Sequence, residues 1–90
     1  MYTLVTTNRF IKTAAKFFKR HPKLKNRFEL LVDALCHDPF QKKLRLHPLK
    51  GELKGLHAVS LTYQYRITLL LIIKNNKIIL IDIGSHDEVY

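Results

Sequence analysis

The sequence predicts an α+β fold: an N-terminal strand, a helical hairpin, then a twisted antiparallel sheet, in the order β-α-α-β-β-β. Three observations predict it. Residues 2–6, "YTLVT", form a short β-rich run at the start. Apolar residues then recur at helical spacing between residues 8 and 37. The segments "YRITLLLIIK" (65–74) and "KIILIDI" (77–83) are apolar on both faces, as central strands are.

In the first helix Asn8 serves as the cap and the helix runs to about Arg20. Phe10, Ala14 and Phe17 lie beside Ile11, Ala15 and Phe18, so two adjacent rows give a wide apolar face. Lys12, Lys16, Lys19 and Arg20 fall mostly off that face. Pro22 suits the first turn of a second helix. There Leu24, Phe28, Leu31, Val32 and Leu35 share a side. Asp38 precedes Pro39 and is pushed out of helical conformation, so this helix ends near His37. Cys36, the only cysteine, excludes an internal disulfide and reads as a small buried apolar residue.

Residues 39–56 have no clean period. They carry Lys42, Lys43, Arg45, Lys50 and Lys54 against one acid, Glu52. Gly51, Gly55 and Pro48 mark this as a basic loop with short extended pieces. Residues 57–62 alternate as a strand. Asn75-Asn76 suits a two-residue hairpin turn, because Asn tolerates positive φ. That turn would place Lys74 opposite Lys77, Arg66 opposite Ser85 and Tyr65 opposite His86. Opposed residues share a side, with Cβ atoms about 4.5–5.5 Å apart. A bulge would shift this register by one residue and swap the faces.

Ninety residues form a single domain, 1–90, that buries roughly 60–65% of its unfolded surface. Hydrophobic residues make up 47% and charged residues 26%, as in a globular protein. No apolar stretch reaches the ~18 residues of a membrane span. "MYTLVTTNRF" has a polar middle and no basic start, so no membrane is implied and the cytoplasm is the expected location. The formal net charge of +9 favours a polyanion or an acidic protein partner.

One set of residues fits phosphodiester cleavage in RNA. A base must take the proton from a ribose 2′-OH, a cation must stabilise charge on the phosphate, and an acid must protonate the leaving 5′ oxygen. His47 and His86 suit the proton roles. Arg66 suits the phosphate. Lys50 and Lys54 lie in the basic loop, and Tyr65 and Tyr90 supply rings on which a base could stack. No cofactor is called for, and no carboxylate cluster suggests a metal. Each residue also has a structural reading. His47 suits a turn beside Pro48, and His86 a backbone bond closing the strand. Arg66 suits an ion pair with Asp82 or Glu52, Tyr65 the core, and Tyr90 an apolar anchor. Lys50 and Lys54 also read as solvated loop charges.

The element order, together with "HPLKGELKGL", "YQYRI" and "IDIGSHDEVY", resembles the RelE/ParE superfamily of toxin–antitoxin toxins, in particular its RelE/StbE and YafQ-type mRNA interferases. The resemblance covers nearly the whole chain. It implies cleavage of mRNA, often in the ribosomal A site, by 2′-OH attack that leaves a 2′,3′-cyclic phosphate. His47 and His86 match histidines used in acid–base chemistry, and Tyr90 the terminal aromatic that contacts substrate. Arg66 matches a phosphate-binding arginine, and Tyr65 falls where YafQ-type relatives carry Trp. Lys50 and Lys54 match a loop expected to meet RNA. A small, acidic cognate antitoxin is implied as partner. Ser60 and Gln64 stand where that branch has His and Asp, so half of its proton-transfer set is missing. The resemblance leaves two alternatives open: a ParE-like inhibitor of gyrase and a catalytically weak RNA-binding relative.

Overall fold

The structure is a computed structural model and describes residues 1–85. Strand β1 (Thr3–Thr6) leads into helix α1 (Asn8–Arg20). A 3-10 turn at Pro22–Leu24 then opens helix α2 (Lys25–His37). The basic loop holds 3-10 turns at Lys42–Leu44 and Gly51–Leu53, with a two-residue strand β2 (His47–Pro48) between them. Strands β3 (His57–Ser60), β4 (Tyr65–Ile72) and β5 (Lys77–Ser85) follow. The predicted order stands, with β2 as the extended piece of the loop.

The five strands form one sheet in the order β1-β5-β4-β3-β2. All neighbouring pairs are antiparallel except β1 with β5, which run parallel from Thr3↔Lys77 to Thr6↔Leu80. Phe10 and Phe17 of α1 and Leu31 and Leu35 of α2 pack with Val59, Ile67, Leu69, Ile78, Leu80 and Ile83 in one core. Both helices therefore cover the same side of the sheet. Only the Phe10–Phe17 row of α1 is deeply buried. Ile11 and Ala15 stay exposed, so the apolar face is narrower than the sequence suggested.

The cap of α1 is Thr7, one residue before the expected Asn8. Its hydroxyl accepts the Phe10 N–H at 3.1 Å and donates to the Leu80 carbonyl at 2.9 Å. One side chain thus satisfies an orphan helix donor and ties α1 to β5. Thr7→Val should cost about 1–2 kcal/mol, read as a lower denaturant midpoint with an unchanged slope. At the far end of the hairpin Asp38 is extended (φ −160°, ψ 102°), as its place before Pro39 requires.

The β4–β5 hairpin departs from the expected register in two ways. Its loop is four residues, 73–76, closed by an Asn76 N–H to Ile73 carbonyl bond of 3.2 Å, with Asn76 at φ 51°. Ile72 therefore opposes Lys77. Ile81 is then an extra residue in β5, because Leu69 opposes Leu80 while Thr68 opposes Asp82. The longer loop moves the ladder by two and the bulge returns it by one. Tyr65 consequently opposes Ser85, and Arg66 opposes Gly84, in place of His86 and Ser85. β3 also stops at Ser60, two residues early, where the Thr62 hydroxyl accepts the N–H groups of Gln64 and Tyr65. Cys36 is half-buried rather than fully buried; burial, then the nearby Asp33, pushes its thiol pKa up.

Candidate active site

The sheet register decides which candidates meet. Alternate residues of a strand share a face, and so do directly opposed residues. His47 opposes Ala58, Ala58 opposes Thr68, and Ser60 opposes Arg66. His47 and Arg66 therefore share the sheet face away from the helices. Tyr65 goes to the helix side. There its ring meets Phe17 edge-on at 5.0 Å and His21 at 4.8 Å. The expected arrangement, Arg66 and Tyr65 on opposite faces, holds; Tyr65 has the core-packed position that its structural reading describes.

His47 is half-buried on β2. Its Nδ1 lies 2.8 Å from the Arg45 carbonyl. A carbonyl can only accept, so Nδ1 carries the proton, and in the neutral ring Nε2 is the proton acceptor. The same bond fixes Arg45. That residue sits at φ 55°, ψ 41°, a left-handed conformation that costs a non-glycine residue roughly 1–2 kcal/mol. The Arg45 N–H holds the Lys42 carbonyl at 3.1 Å, so bonds on both sides keep this strained residue in place.

Arg66 does not take the structural pairing the sequence allowed with Asp82. Asp82 is bound by Arg9, Nη2 to Oδ2 at 2.9 Å, and its Oδ1 accepts the Ile83 N–H. Arg66 instead lines a concavity of about 560 Å³ beside the β3–β4 turn, together with Arg27, Lys43, Arg45, Ser60, Thr62 and Tyr63. Four cations and three hydroxyls meet there, and among the described residues no carboxylate lines it. Three of the cations come from different elements: Arg27 from α2, Arg45 from the basic loop and Arg66 from β4. Arg27 stands in the first turn of α2, which has no acidic residue. A cation at that end opposes the helix dipole. Helix stability does not account for its position, whereas an anionic ligand would.

Lys50 and Lys54 are exposed on either side of the Gly51–Leu53 turn and do not line this concavity. Gly51 (φ 69°) and Gly55 (φ 97°) supply the left-handed conformations that fold that segment back. His86 and Tyr90 lie outside the described residues. Among the described residues no group of three or more His, Cys, Asp and Glu side chains is placed to hold a metal ion. No described helix is long and apolar enough to cross a membrane. Sequence reasoning placed Lys43 and Arg45 in the basic loop without giving them a site, and missed Arg27 and Tyr63. Tyr63 carried a signal, since it begins the "YQYRI" segment that also holds Arg66.

A strand, two helices on one side, and a sheet in which the N-terminal strand lies parallel to the last one together make the RelE/YafQ-type toxin fold. The solved structures it superposes on include several named toxins. YafQ from E. coli strain BL21(DE3) aligns with a TM-score of 0.81 over 100% of this chain and 99% of that one, at 16% identity. The metal-bound toxin from Helicobacter pylori aligns with a TM-score of 0.77 over 100% of both chains, at 27% identity. The E. coli DinJ-YafQ toxin-antitoxin complex gives a TM-score of 0.78 over 99% of this chain and 97% of that one, at 16% identity. No family profile and no curated protein matches the sequence.

Proposed function

We propose that this protein is the toxin of a type II toxin–antitoxin pair and acts as a metal-independent endoribonuclease on mRNA, in association with the ribosome. The observation that carries the reading is that His47 and Arg66 share one sheet face beside a concavity lined by Arg27, Lys43, Arg45 and Arg66. The fold common to this chain and the named toxins supports the toxin role.

In this reading His47 Nε2 takes the proton of a ribose 2′-OH. The 2′ oxygen bonds to phosphorus, Arg66 stabilises the charge on the non-bridging oxygens, and the bond from phosphorus to the 5′ oxygen breaks. The leaving oxygen takes a proton from His86. One product ends in a 2′,3′-cyclic phosphate and the other in a 5′-OH. The Nδ1 bond to Arg45 supports His47 as the base, because it points the acceptor nitrogen away from the chain's own carbonyl. Tyr90, Lys50 and Lys54 complete the substrate contacts, whereas Tyr65, packed against Phe17 and His21 on the helix side, takes no part in them. The protein partner is a small acidic antitoxin whose charge complements the +9 of this chain and competes with RNA for the same field.

The test is cleavage of an mRNA in a translating extract. The wild-type protein should yield cyclic-phosphate ends, and His47→Ala and His86→Ala should each slow the reaction by about 10²–10⁴-fold. Undiminished cleavage by either variant would remove that histidine from the chemistry. Intact mRNA together with blocked gyrase supercoiling would replace the reading with a ParE-like one.

A further inference from the structure

β3 ends at Ser60, and Ser60 is the residue opposite Arg66. Arg66 therefore stands on the last rung of the β3–β4 ladder, where strand pairing frays most easily. A second set of bonds closes that end. The Tyr65 carbonyl accepts the Leu61 N–H at 2.9 Å and the Thr62 N–H at 3.1 Å. The Tyr65 N–H donates to the Thr62 hydroxyl at 3.1 Å, and the Gln64 N–H reaches the same oxygen at 3.2 Å. Both backbone groups of Tyr65 are thus bound within the turn. Its ring is gripped from the helix side, by Phe17 at 5.0 Å and by His21, the C-terminal cap of α1, at 4.8 Å. We infer that Thr62 and Tyr65 are positioning residues for the proposed reaction: together they hold the Arg66 backbone, and through it the guanidinium, at the scissile phosphate. The inference rests on the RNA-cleaving reading above and adds to it two residues that act through Arg66 rather than on the substrate.

An arginine side chain is long and flexible, and its charge lowers a barrier only if it is already aimed when the reaction begins. A misplacement of about 1 Å costs on the order of 10²-fold in rate. Residues 61–64, "LTYQ", contain neither glycine nor proline, so no special backbone residue sets the shape of this turn. The Thr62 hydroxyl sets it instead, by accepting two N–H groups that β3 no longer pairs. Valine at this position would have the same outline and no acceptor, whereas serine would keep the acceptor.

The test measures kcat and KM for cleavage of a labelled mRNA on purified ribosomes. Thr62→Val should lower kcat about 10- to 100-fold and leave KM within about twofold, and Thr62→Ser should restore kcat. Tyr65→Ala should repeat the loss and Tyr65→Phe, which keeps the ring, should restore it. In an Arg66→Gln background Thr62→Val should change the rate by less than about twofold, because the group that it positions is gone. An equal loss in both backgrounds would show Thr62 acting apart from Arg66 and would overturn the inference. Amide hydrogen exchange of the wild-type protein tests the clamp without RNA and without any variant that fails to fold. The Tyr65 N–H should be protected, and exchange at the rate of an unfolded chain would overturn the clamp. Cleavage by Thr62→Val at the full wild-type rate would overturn the positioning role and leave the RNA-cleaving reading intact. Intact mRNA with the wild-type protein would overturn both.

Discussion

Arg66→Gln should slow mRNA cleavage by about 10²–10³-fold while the protein stays folded. Glutamine keeps the length and some of the hydrogen bonding of arginine but removes the charge that would meet the phosphate as it gains negative charge. Arg66 is half-buried, in the middle of the sheet edge-to-edge between Ser60 and Gly84, so its backbone is held by β3 and β5 on both sides. Its guanidinium opens onto a lining with three further cations. A field of that kind raises local RNA concentration, but only the residue at the scissile phosphate changes the chemical step. Arg66→Gln should therefore lower kcat more than it raises KM, whereas changes at Arg27 or Lys43 should act mainly on KM. Arg66→Lys should fall between, since it restores charge without the planar fork. Single-turnover cleavage measured with a thermal unfolding curve decides it: a folded Arg66→Gln variant cleaving at the wild-type rate would end the assignment.

The largest effect on stability should come from Leu80→Ala, at about 2–5 kcal/mol. Leu80 has no exposed surface. It opposes Leu69 immediately before the bulge, stands beside Thr6 of β1, and accepts the Thr7 hydroxyl on its carbonyl. Two strands and the start of α1 thus close around one side chain, and backbone pairing on both sides prevents the site from collapsing into the cavity. For a domain whose total stability is about 5–15 kcal/mol this is a large share. The unfolding midpoint should fall by more than about 10 °C. Ile73→Ala, at an exposed loop position, should stay within about 0.5 kcal/mol of wild type. A Leu80→Ala protein as stable as the Ile73→Ala control would contradict the packing described above.

Helix boundaries were legible because each had a local cause. The Phe10–Phe17 row marked α1, and Asp38-Pro39 stopped α2 where the structure stops it. The doubly apolar runs marked β4 and β5 as the inner strands of the sheet. The hairpin register was not legible. Asn75-Asn76 matches a two-residue turn, yet Ile73 and Lys74 also leave the ladder, and nothing in "KIILIDI" marks Ile81 as the bulged residue. Both depend on how β5 meets β1 as well as β4, and that parallel pairing joins distant segments. The site divides in the same way. His47 and Arg66 were visible as residue types, and the structure brings them to one face. Arg27 had no signal of its own in the sequence; only the packing of α2 beside the β3–β4 turn brings it to the concavity. Tyr63 needed the turn itself, because its exposure follows from β3 ending at Ser60.

The parallel pairing of β1 with β5 also sets an order of events during synthesis. β5 lies between β1 and β4, yet it is the latest of the five strands in the chain. The bond from Thr7 to Leu80 spans 73 positions. At about 5–20 residues per second the ribosome produces β1 and both helices several seconds before their partner strand emerges. Until then α1 and α2 have only the β2–β4 part of the sheet to cover, and β1 has no neighbour. Closing so long a loop is slow relative to helix formation. The five-stranded face therefore stays incomplete until β5 is free of the exit tunnel, and the proposed cleavage site, which requires β4 beside β5, assembles only after that.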